Sequence, residues 1–138
     1  MDKTRVLVVE DEDVYRDYIC KVLPEKQYRV SNASSGHAGI EIGTAFRPDV
    51  LVVDWMLTND HHGLDVIKAL EEVCPSLTSI LISGYASDSL RSRADDAKVF
   101  RFLEKPFEIT DLLLTIRKAV IARTRMLVVD DSSVHRIS

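Results

Sequence analysis

Asp49-Val50-Leu51-Val52-Val53-Asp54-Trp55 has an apolar, largely β-branched middle that ends abruptly in a carboxylate. A short continuous apolar run between turn signals predicts a buried strand of a parallel sheet. Pro48 stands just before it, where a strand can begin. The charge of Asp54 falls where the hydrophobic run stops, at the carboxyl end of the strand. Open α/β sheets bind ligands in the crevice at those ends. Asp54 is therefore the candidate reactive group.

On the amino-terminal side, residues 6–9 form another apolar run, followed by Glu10-Asp11-Glu12-Asp13. This predicts a buried strand, an acidic cluster and then a helix that Asp11 or Asp13 can cap. Val14, Tyr18 and Val22 recur at helical spacing, as do Tyr15, Ile19 and Leu23, and Pro24 marks the stop. Residues 28–31 read as a shorter strand near an edge. Ser34 or Ser35 caps a second helix running to about Phe46. Gly36, Gly39 and Gly43 do not have the spacing of a dinucleotide or phosphate-binding loop.

On the carboxyl side, a loop over 56–62 precedes a helix from Gly63 to near Cys74-Pro75, with Leu64, Ile67 and Leu70 inward. Residues 79–82 form a strand closed by Ser83-Gly84. A polar helix is predicted over 87–97 and a strand over 99–103, ended by Glu104-Lys105-Pro106-Phe107. A last helix spans about 108–122, with Leu112, Ile116 and Ala119 inward. Strand and helix thus alternate five times. Parallel strands need crossovers, which are right-handed helices on the sheet faces. The architecture expected is α/β, a five-stranded parallel sheet covered on both sides.

Composition agrees with one globular domain: of 138 residues, 46% are hydrophobic and 29% charged. The net charge of −4 argues against a broad nucleic-acid or membrane footprint. No apolar run approaches the ~20 residues of a membrane span. No signal peptide precedes the first strand, so a cytoplasmic protein is expected. Cys20 and Cys74 are isolated and read as reduced core thiols. Asn32-Ala33-Ser34 matches a glycosylation sequon and is taken as chance.

Four strand ends bring polar groups to one rim: Glu10 and Asp11, Asp54, Ser83 and Lys105. Carboxylates crowded together raise each other's pKa, and a hard divalent cation resolves the repulsion. Oxygen ligands at this density suit Mg²⁺. A carboxylate nucleophile, a metal, a lysine and a hydroxyl make a phosphoryl-acceptor site. Asp54 attacks phosphorus while Lys105 and Ser83 stabilise the equatorial oxygens. Glu12 and Asp13 read as solvated charges at a helix start, favoured by the helix dipole. His61-His62 lacks the spacing and third ligand of a zinc site and reads as loop. Trp55 and Tyr85 read as packing and loop contacts.

With these residues in place the chain closely resembles the receiver domain of bacterial two-component response regulators. The matching stretches are Val8-Val9-Glu10-Asp11-Glu12, Val52-Val53-Asp54, Ile82-Ser83-Gly84 and Glu104-Lys105-Pro106-Phe107. The resemblance covers roughly residues 4–122. It implies a flavodoxin-like, doubly wound sheet of order 2-1-3-4-5 and Asp54 as the phosphorylated aspartate. It implies Mg²⁺ held by Glu10, Asp11, Asp54 and the backbone carbonyl of Met56. Ser83 would be the switch hydroxyl, Lys105 the phosphoryl-binding lysine and Lys105–Pro106 a cis bond. Phe102 is either the switch aromatic or a core ring. Implied partners are a sensor histidine kinase or a histidine phosphotransfer protein, and a homodimer through helix 4, strand 5 and helix 5. Where the family commonly carries proline, four residues after the aspartate, this chain has Thr58.

Arg125-Met126-Leu127-Val128-Val129-Asp130-Asp131 to Arg136 repeats residues 5–16 at a constant offset of 120 residues. An internal repeat at domain period predicts a receiver over 1–123, then a linker and the cut-off start of a second receiver over 124–138. A downstream receiver or output domain in the parent chain follows from that. Such an orphan strand is expected to fray, to extend the last helix or to pair with an edge of another molecule. Asp130 and Asp131 should have no catalytic role. Two other functions compete with the phosphoacceptor. One is a degenerate receiver acting only in binding or dimerisation, against which the complete residue set argues. The other is an aspartyl-phosphate phosphohydrolase, disfavoured because Met56 stands where the second acid–base carboxylate belongs. The chain is thus expected to act as a regulatory domain, not an enzyme.

Overall fold

The structure, a computed structural model, describes residues 3–57, 62–84 and 87–137, with side chains described as far as Arg125. Five strands alternate with five helices: β1 (Thr4–Val9), α1 (Asp13–Val22), β2 (Tyr28–Ala33), α2 (Gly36–Phe46), β3 (Val50–Asp54), α3 (Gly63–Val73), β4 (Thr78–Ser83), α4 (Asp88–Asp96), β5 (Arg101–Glu104) and α5 (Ile109–Ile137). All neighbouring strands pair in parallel, in the order β2-β1-β3-β4-β5. β3 lies in the middle, and all five of its residues are buried. This explains why its sequence is continuously apolar rather than alternating. β2, at the edge, carries the weaker pattern.

Strand alternation sends side chains to two cores. Leu7, Val9, Leu51, Val53 and Leu81 pack under α2, α3 and α4, while Val6, Val8, Val50, Val52, Ile80 and Ile82 pack under α1 and α5. On the second face Ile19 of α1 meets Leu112, Ile116 and Ala119 of α5, all fully buried. Gly43 lets α2 sit close against the sheet and α3, because a Cβ there would stand 2.6 Å from Leu70 Cδ2 and 3.1 Å from Leu7 Cδ2.

Several local expectations change. Neither Asp11 nor Asp13 caps α1: the N-cap is Glu12, whose side chain makes no capping bond to the helix. Asp13 instead pairs with Arg16 at 2.5 Å, and Arg16 also donates to the Glu10 carbonyl at 2.9 Å. Ser35 does cap α2, accepting from Ala38 N at 3.1 Å. His62, read from sequence as loop, is the N-cap of α3 and shares a capping box with Asp65. β5 begins at Arg101, later than the apolar residues before it suggest. The last helix runs on through Ile137, so extension of that helix is the outcome realised among those expected for the repeat segment. Thr58, His61 and Tyr85 lie outside the described residues, as do the side chains of Asp130 and Asp131. No helix among the described residues is long and apolar enough to cross a membrane.

Candidate functional site

The parallel register places the ends of β1, β3, β4 and β5 on one rim. Val9 pairs with Val53, Asp54 with Ile82, and Ser83 with Glu104. The residue after each apolar run therefore arrives at the same level. Glu10 and Ser83 are fully buried, and Asp54 is 3% exposed. Burying two carboxylates beside each other requires compensation, and Lys105 supplies it. Its Nζ lies 2.6 Å from Glu10 Oε1, 2.9 Å from Asp54 Oδ2 and 3.2 Å from Glu12 Oε1. The Lys105–Pro106 bond is cis, as the resemblance implied. The other oxygen of Asp54, Oδ1, accepts from the backbone N–H of Met56 at 3.0 Å. Both oxygens of Asp54 are thus held.

Acidic groups outnumber the ammonium. One carboxylate oxygen from each of Glu10, Asp11, Glu12 and Asp54 lies within 4.8 Å of the others. Burial, the hydrogen bond to Asp54 and its charge push the Glu10 carboxyl up to about 8, against the downward pull of Lys105. Burial alone would lower the Lys105 pKa, but its bonds to Glu10 and Asp54 and their charges outweigh that and raise it. An excess of hard oxygen donors over positive charge fits a divalent cation such as Mg²⁺.

The structure brings Glu10, Asp11, Asp54 and Lys105 together, with Ser83 at the adjoining strand end. Met56 reaches the site through its backbone, and the residue as a whole is 59% exposed. Phe102 lies on β5, half-buried against the α2–α4 core, with the Arg91 guanidinium 5.1 Å from its ring centroid. Glu12 corrects the sequence reading: its carboxylate is not simply solvated but bonds to Lys105. Its signal was the position beside Glu10-Asp11, which a helix-start reading had absorbed. Trp55 is a packing residue, as expected, stacked on His62 at 5.3 Å and facing Arg93 at 4.7 Å.

Gly63 makes the site possible from below. α3 starts so close to β3 that a Cβ at 63 would lie 2.5 Å from the carbonyl oxygen of Asp54. Gly63 N also donates to Trp55 O at 3.1 Å, tying the helix start to the reactive strand end.

The comparisons with known proteins agree with this geometry. The chain is 33% identical over 135 residues to the probable transcriptional regulatory protein TcrX of Mycobacterium tuberculosis, covering 93% of this chain and 54% of that protein. It is 35% identical over 115 residues to the sensor kinase CckA of Brucella abortus, covering 82% of this chain and 12% of that protein. The chain thus spans about half of the first relative's length and a small part of the second's. A CheY-like response regulator receiver domain structure from Methanospirillum hungatei has the same fold, with a TM-score of 0.84 at 22% identity over 91% of this chain and 99% of that one. The family model for the response regulator receiver domain matches residues 6–117, so the strand-end cluster sits on a full receiver framework and the chain belongs to the response regulator receiver domain family.

Proposed function

We propose that Asp54 accepts a phosphoryl group from a phosphohistidine donor and that the resulting acyl phosphate switches an output surface. The observation that carries this reading is Lys105, whose ammonium bridges Asp54 and Glu10 from the end of a third strand. In the transfer an Asp54 oxygen bonds to phosphorus as the P–N bond of the donor breaks. The electron pair of that bond stays on the imidazole nitrogen, and Asp54 neither gains nor loses a proton. The Met56 N–H and Lys105 fix the carboxylate before attack, which lowers the cost of orientation. Lys105 then pairs with a phosphoryl oxygen, and the Ser83 hydroxyl donates to another. Glu10, Asp11, Asp54 and the Met56 carbonyl would hold Mg²⁺, which when bound supplies positive charge against the phosphoryl oxygens.

Ser83 and Phe102 are the proposed switch pair. They lie on adjacent strands, where Leu81 faces Phe102 and Ser83 faces Glu104. Added phosphoryl charge and acceptor oxygens would draw Ser83 in and let the ring follow. The partners proposed are a sensor histidine kinase or a histidine phosphotransfer protein in the cytoplasm, with a downstream receiver or output domain in the parent chain. The repeat at an offset of 120 residues supports reading 124–138 as a linker and the start of a second receiver.

The test is intact mass after incubation with a small-molecule phosphodonor, with and without Mg²⁺, beside Asp54→Ala. One Mg²⁺-dependent phosphoryl addition, lost in the variant, is expected. No addition to wild type, with the same donor working on a known receiver, would leave a phosphorylation-independent binding module as the better reading.

A further inference from the structure

Glu12 and Tyr15 lie one turn apart at the start of α1, and both reach the ammonium of Lys105. Glu12 Oε1 stands 3.2 Å from Nζ, and the Tyr15 ring centroid stands 4.3 Å from it. Tyr15 is backed in turn by Phe107, with ring centroids 5.9 Å apart. A lysine has three donors, and here they go to Glu10, Asp54 and Glu12. A phosphoryl oxygen can engage Lys105 only where one of these lets go. The side chains of Glu10 and Asp54 are 0% and 4% exposed, so releasing either would strand a buried polar or charged group. Glu12 is 60% exposed and makes the longest of the three contacts. Water can replace its bond at little cost. Its negative charge also stands at the solvent side of the lysine, where a phosphodonor must approach.

We propose that Glu12 is an electrostatic gate on Lys105: it occupies the lysine before transfer, repels small phosphodonor anions and yields its place to the phosphoryl group. Glu12 is thus a positioning residue that sets donor selectivity. A free anion has nothing to offset the repulsion, whereas a donor carried on a protein can offset it through its docking surface. This rests on Asp54 being the phosphoacceptor.

The test compares wild type and Glu12→Gln in Mg²⁺, using acetyl phosphate, a dianion, and phosphoramidate, which carries one net negative charge. A carboxylate a few ångströms from an incoming dianion in screened solvent predicts about a three- to tenfold faster acetyl phosphate reaction in the variant. The gain should be smaller with phosphoramidate and should shrink as salt is raised. A helix-start residue of only structural importance would move neither the donor-charge nor the salt dependence. Equal or slower transfer in Glu12→Gln, or a gain indifferent to salt and donor charge, overturns the gate while leaving Asp54 as acceptor. So does a loss of Mg²⁺ affinity, followed by Trp55 fluorescence, of more than about tenfold, which would make Glu12 a cation ligand instead. Failure of wild type to take up any phosphoryl group sinks the acceptor reading and the gate together.

Discussion

Replacing Glu10 by glutamine should remove most of the pH dependence of stability that the acidic rim imposes on the metal-free protein. Glu10 is buried beside Asp54, and its carboxyl is pushed from 4.5 up to about 8. The folded protein therefore holds a proton there that the unfolded chain releases. Stability from this proton is fully present below pH 4.5 and is lost as pH rises through about 8. The full displacement corresponds to at most about 5 kcal/mol. Solvent at the rim and the sharing of protons among neighbouring carboxylates reduce this to about 1–3 kcal/mol. Lys105, with its pKa raised, stays charged across the window and adds no slope. In Glu10→Gln the amide preserves the side chain's shape, and Lys105 retains Asp54 and Glu12 as partners. Urea unfolding in EDTA from pH 5 to 8.5 is the assay. Wild type should lose about 1–3 kcal/mol relative to the variant across that range. Added Mg²⁺ at pH 8.5 should stabilise wild type more than the variant. Parallel stability curves for the two proteins would refute the reasoning.

Gly63→Ala should destabilise the fold by about 1–3 kcal/mol, because its Cβ has no room beside the Asp54 carbonyl. It should also slow phosphoryl uptake, so denaturant midpoint and transfer rate should fall together. Ser79 on β4 is 4% exposed, and its hydroxyl has no hydrogen-bond partner among the described residues. Ser79→Ala should therefore be neutral or stabilising by up to about 2 kcal/mol in urea, with unchanged phosphoryl transfer. Ile116 is fully buried between α5 and the sheet, so Ile116→Ala should cost about 2–5 kcal/mol by the same assay. Arg93→Ala should alter the emission of Trp55, whose ring lies 4.7 Å from the guanidinium. Unchanged emission would mean the contact does not persist in solution.

The framework was legible because local and global signals agree. The apolar runs at Val6, Val50 and Ile80 are continuous since their strands are covered on both faces, and each ends where chemistry begins. The polar, weakly amphipathic helix α4 forms over nearly its expected span, and the structure supplies the reason: Ser87 caps it by accepting from Leu90 N at 3.1 Å, and Leu90 and Ala94 turn inward. What stayed hidden depends on side chains meeting across elements. Nothing local says that Glu12 turns back to Lys105 at the far end of the chain's fifth strand. Nothing local says that Arg91 covers Phe102 and pairs with Glu104 at 3.5 Å. Gly63 looked like a helix start, and only the closeness of α3 to β3 gives it a reason tied to Asp54.

The charge balance of the rim joins fold to function. Glu10, Asp11, Glu12 and Asp54 crowd together, and the pairing of β1 with β3 keeps Glu10 and Asp54 side by side unless the strands unpair. Such an arrangement is a poor way to stabilise a fold, because an excess of buried carboxylate costs more than one lysine returns. It is a good way to hold affinity in reserve for whatever brings positive charge or takes Lys105 as a partner. The burden falls unevenly. Glu10 is sealed in and answers by holding a proton, whereas Glu12 is open to water and can answer by moving. A rim that responds through both routes should be sensitive to cation and phosphoryl occupancy at the same residues. The paired tests on Glu10 and Glu12 therefore probe one balance from its buried and its exposed side. If Glu10→Gln flattened the pH dependence and Glu12→Gln left donor selectivity untouched, the excess charge would act on folding alone. If both responded, folding stability and phosphodonor choice would draw on the same four carboxylates.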